Sequence, residues 1–456
     1  MRRAIASAST AQSRCGSTSS CPHRKPRSSV MLNKRSAAMT FIFITVLLDM
    51  LALGIIIPVF QPLIITFSHG NYANASIATG IFATIFALVQ FFASPVLGTL
   101  SDRFGRRPIV LLSNLGTSFD YVILALAPNL FWLFIGRVVS GATTASITVA
   151  SAYVADVTPA DKRAGAYGMI SAAFGIGFVV GPALGGFLGA HDPRLPFWVA
   201  SALSMLNFFY GLFVLPESLD RAHRNPFSWK RANPLGSLKL LRRHSELSGL
   251  ALVTQIGYVA HEALPQLFIL YTMYAYGWTM KTIGVSLAVV GVVTIVVSGF
   301  VIQPVVNRLG ERKALLAGLF LGGLGFVLYA GSEVVFWVAI VVNMMWMIGS
   351  SSSQAIMTRR VEKNEQGELQ GAINMLRSVG MMIGPAIFTG FFAYSIGGAH
   401  AWKFPGLAWV VGGLMLFASV IVAARVTSPS DDVRETIDHA EALEAALPDE
   451  VPLVQS

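Results

Sequence analysis

The chain has 456 residues, of which 54% are hydrophobic and only 12% are charged. Soluble domains carry about a quarter charged residues, and a soluble chain this apolar would expose large apolar patches. The composition therefore excludes an ordinary soluble protein and indicates one whose solvent is the lipid bilayer. The formal net charge of +10 lies in short loops and in the N-terminal tail, which is typical of a membrane protein, so we predict no nucleic-acid partner.

The N-terminal tail, residues 1–38, is rich in serine and arginine and has no acidic residue. It contains both cysteines of the chain, Cys15 and Cys21, so no disulfide framework is predicted elsewhere. The composition resembles a transit peptide. Residues 21–27, however, have no apolar helical stripe. We therefore favour a flexible basic tail, or a sequence extended too far at its start, with translation beginning at Met31 or Met39.

Twelve apolar runs follow, each long enough for a membrane-spanning helix of about 20 residues. We number these runs as spans 1 to 12, and they fall near residues 40–66, 77–100, 108–127, 130–155, 164–189, 196–215, 247–275, 282–306, 313–331, 334–357, 368–396 and 404–424. The predicted domains are the tail 1–38, a six-helix bundle at 39–215, a linker at 216–246, a second six-helix bundle at 247–425 and a disordered acidic tail at 426–456.

The distribution of lysine and arginine predicts the orientation in the membrane. With the N-terminus in the cytoplasm, the loops on the opposite side carry only Arg194, Lys281 and Lys403. The cytoplasmic loops and the linker carry most of the other basic residues. Since short cytoplasmic loops are enriched in basic residues, we predict a multi-pass protein of the cell (inner) membrane with both termini in the cytoplasm.

The two halves share weak sequence repeats. Gly168 and Gly181-Pro182 recur as Gly371 and Gly384-Pro385, 203 residues further on. The segment 102–107 recurs loosely at 307–312. Two patterns at nearly the same offset indicate duplication of a six-helix unit, with a substrate site between the halves near the middle of the membrane.

The most specific motif is the loop Gly98-Thr-Leu-Ser-Asp-Arg-Phe-Gly-Arg-Arg107. We expect Gly98 to allow a tight exit from the preceding helix and Gly105 to adopt a positive φ. Asp102 can lie at a helix N-terminus or pair with an arginine. The arginines can hold the loop at the anionic cytoplasmic surface. The predicted gating loop therefore comprises Gly98, Asp102, Arg103, Gly105, Arg106 and Arg107.

This loop resembles the signature loop between helices 2 and 3 of the major facilitator superfamily. Asp49, in Leu-Asp-Met-Leu-Ala-Leu-Gly-Ile-Ile-Ile-Pro-Val, resembles part of the first-helix motif of the drug/proton antiporters. Two further segments, 136–141 and 175–186, resemble the fourth-helix and fifth-helix motifs of the same antiporters. Within that group, the sequences at 120–121 and 367–371 are similar to those of the tetracycline/proton antiporter branch.

The resemblance covers residues 40–425 and implies an all-α membrane protein, with twelve transmembrane helices in two pseudo-symmetric six-helix bundles. It also implies a monomer that works by alternating access on a small-molecule substrate. The proton gradient would drive it, without a cofactor. The tetracycline branch carries a histidine in helix 8 and an acid in helix 9, whereas the stretches 291–298 and 319–325 of this chain have no ionisable group. We therefore expect little or no tetracycline resistance, and some protection against hydrophobic cations or other amphipathic compounds.

Charged residues inside the spans are candidates for proton coupling, because each costs about 3 kcal/mol on insertion scales. At 1.5 Å per residue, Asp49, Asp120 and Arg137 lie about 14, 18 and 20 Å from the cytoplasmic edge, in one layer. Asp49 is the best proton site, with Arg137 as the modulating charge. A static Asp120–Arg137 ion pair is the alternative. Glu262 is a further candidate for the proton site, and its neighbour His261 a weaker one.

Two more groups of residues complete the predicted site. The glycines of span 5 predict close helix packing and a sliding surface between the halves. The proline in this span predicts a kink. The residues of this predicted interface are Gly177, Gly181, Pro182 and Gly185. The predicted substrate cavity includes Arg137, Gln90, Gln354 and Arg377.

Three functions remain open at this point. They are proton-driven export of an amphipathic or drug-like compound, inward symport of a nutrient or metabolite, and a membrane receptor without transport. The Gly-Pro motif of span 5 favours export through its resemblance to the antiporters. The chain has no G-x-x-x-x-G-K-[ST] nucleotide-binding loop and no visible metal cluster or nucleophile–base set, so neither ATP-driven transport nor an enzyme is predicted.

Overall fold

The computed structural model describes residues 27–144, 146–159, 162–220, 224–227, 245–362, 365–398 and 403–428, and these contain helices and loops without a strand. The first half comprises α1 (Arg27–Phe67), α2 (Tyr72–Phe104), α3 (Arg106–Leu126), α4 (Leu130–Thr143), α5 (Ser146–Val157), α6 (Arg163–Gly189) and α7 (Leu195–Phe213).

The second half repeats this order after the linker. It comprises α8 (Ser245–His261), α9 (Ala263–Tyr276), α10 (Met280–Val296), a π-helical turn (Val297–Val301), α11 (Ile302–Leu309), α12 (Glu311–Tyr329), α13 (Glu333–Met344), α14 (Trp346–Arg359), α15 (Gln366–Ile396) and α16 (Leu407–Val426).

The twelve predicted spans coincide with these helices. Among the described residues, ten helices are long and apolar enough to cross a membrane. Two of these ten are interrupted without ending, span 8 by the π-helical turn and span 10 at Met345. The other two spans are each divided into shorter helices, span 4 into α4 and α5 and span 7 into α8 and α9. The all-α architecture with twelve spans is therefore confirmed.

The domain boundaries stay predictions. Helix α1 begins at Arg27, inside the predicted tail 1–38. Most of the predicted linker and nearly all of the acidic tail lie outside the described residues.

Short polar residues and glycines set the helix ends. Asn71 and Asn129 cap α2 and α4 by accepting backbone N–H groups with their side-chain oxygens. Gly105 (φ 111°) and Gly310 (φ 76°) form the turns before α3 and α12. These two positive φ angles occupy corresponding places in the two halves, which supports the predicted duplication. We call the end of the bundle with these two turns the loop side and the opposite end the distal side.

The two halves meet near the distal side. Gln61 of α1 donates hydrogen bonds to the carbonyl oxygens of Pro265 (2.9 Å) and Gln266 (3.1 Å). Ser76 of α2 donates one to the carbonyl oxygen of Thr389 in α15 (2.9 Å). Helices α6 and α10 touch through Gly186 and Gly284, where a Cβ atom at either position would lie within 3 Å of the other's Cα.

Glycines without close neighbours occur at both ends of the bundle. A Cβ atom built on Gly98, Gly165, Gly168 or Gly299, towards the loop side, would meet no atom within 4 Å, and the same is true of Gly70 and Gly277 at distal turns. The close contacts between the halves described above lie towards the distal side.

Candidate functional site

Asp49 lies partly buried in α1 and is held by a residue of α7. Asn207, which is fully buried, donates a 2.7 Å hydrogen bond to Asp49 Oδ1 and a 2.9 Å hydrogen bond to the carbonyl oxygen of Thr45. Both acceptors are oxygens, so the amide nitrogen of Asn207 must point towards them. Asn207 was not identified from the sequence, because a lone asparagine in an apolar run forms no motif.

Asp120 of α3 and Arg137 of α4 form a buried ion pair. The Arg137 guanidinium lies 2.9 Å from Asp120 Oδ2, and the aspartate side chain has no solvent exposure. The guanidinium also lies over the rings of Phe60 (4.6 Å) and Phe86 (5.8 Å). These contacts anchor a charge that would otherwise be costly at this depth.

Arg137 was predicted to modulate Asp49, with the Asp120–Arg137 pair as the alternative. The structure shows the alternative pairing, whereas Asp49 is bonded to Asn207. Tyr121 interacts electrostatically with Asp49, Asp120 and Arg137, so these groups lie near one another in the first half. Their roles in proton coupling stay predictions.

Glu262 lies in the second half at the junction between α8 and α9. Its side chain packs on Gly384 of α15, where a Cβ atom would lie 2.4 Å from Glu262 Cβ. The Arg377 guanidinium interacts electrostatically with both Glu262 and His261. His261 stacks on Trp346 with ring centroids 4.1 Å apart, as an aromatic core residue does. Glu262 and Arg377 therefore lie within electrostatic range of each other.

The glutamines predicted to line the cavity lie on different helices. Gln354 of α14 is exposed and donates a 3.1 Å hydrogen bond to Gln370 Oε1 of α15. Gln90 is half-buried in α2. Their contact with substrate stays a prediction.

The gating loop is joined to α5 by an ion pair. Arg106 pairs with Asp102 and, at 3.1 Å, with Asp156 of α5. Arg107 donates hydrogen bonds to the carbonyl oxygens of Gly211 and Leu212 at the end of α7. The loop therefore contacts the loop-side ends of two other helices of the first half, α5 and α7.

The helix N-terminus beyond the loop is capped by a residue of the linker. Glu217 Oε1 accepts the backbone N–H of Arg106 (2.8 Å) and Oε2 that of Arg107 (3.3 Å), which satisfies free N–H groups and complements the helix dipole. Asp102 takes the arginine partner, the other role considered for it. Glu217 was missed from the sequence because the contact spans 111 residues.

Three predicted details of the loop can be compared with the structure. Gly105 has the positive φ that was expected. Arg103 is exposed and its guanidinium lies 5.2 Å from the ring of Phe104. The expectation for Gly98 was wrong, because α2 continues to Phe104 without a break and Gly98 lies within it.

The second half contains a counterpart of this network with the charges exchanged. Glu311 begins α12, as Arg106 begins α3, and pairs with Arg359 of α14. Arg312 donates hydrogen bonds to the carbonyl oxygen (3.0 Å) and the hydroxyl (3.3 Å) of Thr427 after α16. Each half thus has its own ion-pair network at the loop side.

The glycines of span 5 face two partners. Gly177, Gly181 and Gly185 pack on α1, where Cβ atoms would lie 2.1–2.6 Å from atoms of Met50, Gly54 and Ile55. The prediction that these three glycines face the other half was therefore wrong, since α1 belongs to the same half. The contact with the second half comes from the other face of α6, where the Pro182 carbonyl and Gly186 meet Gly284 of α10.

We expect Asp102→Asn to slow turnover about two- to fivefold, the size of effect that a partly exposed ion pair supports. Substrate affinity within a given state should stay almost unchanged, because the network touches only the loop side. Initial rates and binding isotherms measure the two quantities. Asp220→Asn, the same change at an exposed residue of the linker, is the control. A loss of affinity with unchanged turnover would show that the loop has no gating role.

Comparison with known families identifies the chain. A family model described as the Major Facilitator Superfamily matches residues 42–385 and 263–450. The chain belongs to the major facilitator superfamily. This agrees with the resemblance drawn from the motif loop and with the twelve spans.

Curated relatives within this superfamily narrow the relationship. The class C tetracycline resistance protein of Escherichia coli is 37% identical over 387 residues, which cover 84% of this chain and 95% of that protein. The class G protein of Vibrio anguillarum is 33% identical over 396 residues, which cover 86% and 98%. The predicted relationship to the tetracycline/proton antiporter branch is therefore confirmed.

Solved structures support the fold. The human organic anion transporter MFSD10 (TETRAN) matches with a TM-score of 0.63 at 20% identity, covering 85% of this chain and 99% of that one. The nucleoside transporter NupG matches with a TM-score of 0.71 at 11% identity, covering 85% and 98%. These likenesses show the fold alone.

Proposed function

We propose that the protein is a proton-coupled secondary transporter that exports small amphipathic or drug-like molecules by alternating access. The observation that carries this proposal is the group of buried charged residues in the first half, with Asp49 beside the Asp120–Arg137 pair. Membership of the major facilitator superfamily and the tetracycline resistance relatives support it.

The geometry suggests separate tasks for the two aspartates. Asp120 is fully buried and paired with Arg137, so it holds α3 and α4 together. Asp49 is only partly buried and bonded to a neutral amide, so it can gain or lose a proton as the site opens to either side. Proton release from Asp49 on the loop side and uptake from the distal side would drive substrate in the opposite direction.

The second half would supply the substrate contacts. Glu262 and Arg377 lie together there, and the aromatic side chains of Tyr258 and Trp346 pack beside them, with ring centroids 6.3 Å apart. Apolar surface with one acid and one base suits an amphipathic organic molecule. Inward symport of a nutrient has no comparable support.

The names of the relatives make tetracycline the first compound to compare. In this chain the membrane-spanning parts of α10 and α12 carry no acidic or basic group away from their ends. Unpaired charge is expensive in a low-dielectric cavity. We therefore propose hydrophobic cations and related amphipathic compounds as better substrates than a charged metal–tetracycline chelate.

Everted membrane vesicles test the proposal. We expect a proton gradient, acid inside, to drive accumulation of at least one fluorescent hydrophobic cation, and a protonophore to abolish it. Tetracycline should give a weak signal. Strong proton-dependent tetracycline transport would overturn the substrate assignment, and no gradient-dependent uptake of any compound would overturn export.

We also propose that both termini and the 216–246 linker lie in the cytoplasm, with the protein a monomer in the inner membrane. A cysteine at Asn129, an exposed residue between α3 and α4, should react with an impermeant reagent on intact cells. Ser68, at the distal turn after α1, is buried and therefore less suitable for labelling. A cysteine at Ser228, in the linker, should stay unlabelled, and its labelling would reverse the orientation.

A further inference from the structure

A cluster of buried polar groups lies between α3 and α7, behind Asn207. Asn114, Ser204 and Asn207 are each at most 1% exposed. Both amide atoms of Asn114, the Ser204 hydroxyl and the Asn207 Oδ1 atom have no hydrogen-bond partner among the residues that the structure describes. The large majority of buried side-chain polar atoms have a hydrogen-bond partner, so four unsatisfied atoms on three neighbouring residues require an explanation.

Two contacts fix the register of the two helices around this cluster. Ser118 and Ser201 exchange hydrogen bonds of 3.1 Å, and further towards the loop side the Leu111 side chain lies against Gly211. Positions three or four apart share a helix face. Asn114 therefore lies on the face of α3 that meets α7, between these two contacts.

The same argument places the two residues of α7. Ser204 and Asn207 follow Ser201 at steps of three, and they lie before Gly211 on the face that meets α3. The Asn207 amide nitrogen is engaged by Asp49 and Thr45 on the α1 side. Its oxygen is on the other branch of the amide and is available to the cluster.

We propose that Asn114, Ser204 and Asn207 form a buried water-binding site that orients the Asn207 amide towards Asp49. The groups are neutral, and they offer both a donor and acceptors, as a water with two to four partners requires. A cation would find no charge among them. The proposal rests on the proposed function, because it makes Asn207 a positioning residue for the proton-carrying Asp49.

The bound water has a consequence for proton exchange. A water that donates to Asn207 Oδ1 holds the amide so that its N–H groups stabilise the Asp49 carboxylate. Asp49, Asp120 and Arg137 all interact electrostatically with Tyr121, so Tyr121, Asp120 and Arg137 are ionisable groups that lie near Asp49. The other helices packed on α1 within the first half carry ionisable side chains only towards the loop side or at helix ends, at Tyr72, Asp102, Arg103, Tyr153, Asp156, Arg163, Tyr167 and Tyr210.

The first test is independent of transport. An experimental structure of the unmodified protein that resolves ordered water should show a water within hydrogen-bond distance of Asn114 and Asn207. The Asn114→Leu variant should lack it. A dry cluster in the unmodified protein, or an ion in place of the water, would overturn the proposal even if proton-coupled transport is shown.

The second test is the pH dependence of transport. We expect Asn114→Leu to move the pH of half-maximal proton-driven transport upwards by about one unit, a tenfold change in proton affinity. Ser204→Ala, a smaller change, should move it in the same direction by less. Ser118→Ala removes the hydrogen bond that the Ser118 hydroxyl donates to Ser201, between the same two helices. It should leave the pH of half-maximal transport unchanged.

The outcomes separate a positioning role from packing. An unchanged midpoint in both Asn114→Leu and Ser204→Ala, or an equal shift in Ser118→Ala, overturns the proposal. If Asn114→Leu does not fold, Ser204→Ala alone decides the matter. Absence of proton-coupled transport in the unmodified protein would refute the proposed function instead. The experimental structure of the first test would still show whether a water is bound at Asn114 and Asn207.

Discussion

Asp49→Asn is expected to reduce proton-driven accumulation by about 100-fold or more, the size of effect that loss of a proton-transfer group produces. A neutral amide cannot exchange a proton, whereas its oxygen can still accept the hydrogen bond from Asn207 that the structure shows. The helix packing should therefore survive. Substrate exchange without a gradient should continue, because it does not need net proton movement.

Vesicles with and without an imposed proton gradient measure this difference. Asp220→Asn, which removes the same charge from an exposed residue of the linker, is the control and should behave like the unmodified protein. Unchanged gradient-dependent accumulation in Asp49→Asn would move the proton site to Asp120 or Glu262.

The second large effect concerns stability. Asp120→Asn leaves the Arg137 guanidinium without its buried counter-ion, and breaking a buried pair in this way costs about 3–5 kcal/mol. We expect a lower unfolding temperature in detergent and less folded protein in the membrane. The double variant Asp120→Asn with Arg137→Met removes both charges and should regain most of the lost stability.

A more exposed ion pair provides the comparison. Asp156→Asn removes a partner of Arg106 whose side chain is 21% exposed, against 0% for Asp120. Exposed pairs contribute at most about 1 kcal/mol, so its effect on the unfolding temperature should be small. Equal stability of Asp120→Asn and the unmodified protein would show that the pair does not hold α3 and α4 together.

The membrane architecture could be predicted from the sequence because it depends on composition and length. A span needs about 20 apolar residues, and every predicted run coincides with a helix or a pair of helices. The interruptions within spans 4, 7, 8 and 10 were not predicted. They lie at Thr144, Glu262, Val297–Val301 and Met345. An interruption inside an apolar run changes neither its length nor its hydrophobicity.

The depth of each charged residue could also be predicted, but its partner could not. Rise per residue gives the distance along the helix axis, so Asp49, Asp120 and Arg137 were placed in one layer. It does not give the direction in which a side chain points. Both aspartates therefore remained candidate partners of Arg137, and only the packed helices show that Asp120 is the partner.

Contacts between distant segments account for most of what was missed. The bonds of Asn207 to Asp49 and of Glu217 to the start of α3 cross 158 and 111 residues. Neither residue belongs to a local pattern. The glycines of span 5 were recognised as close-packing residues, but their division between two faces of α6 depends on where α1 and α10 lie.

The direction of coupling between substrate and protons tests the central claim most directly. Purified protein is reconstituted into liposomes that contain a pH-sensitive dye, and a gradient of a transported compound is imposed without a proton gradient. Protons should move against the direction of the compound, and Asp49→Asn should abolish that movement. Movement of protons in the same direction as the compound would show symport and would contradict the account.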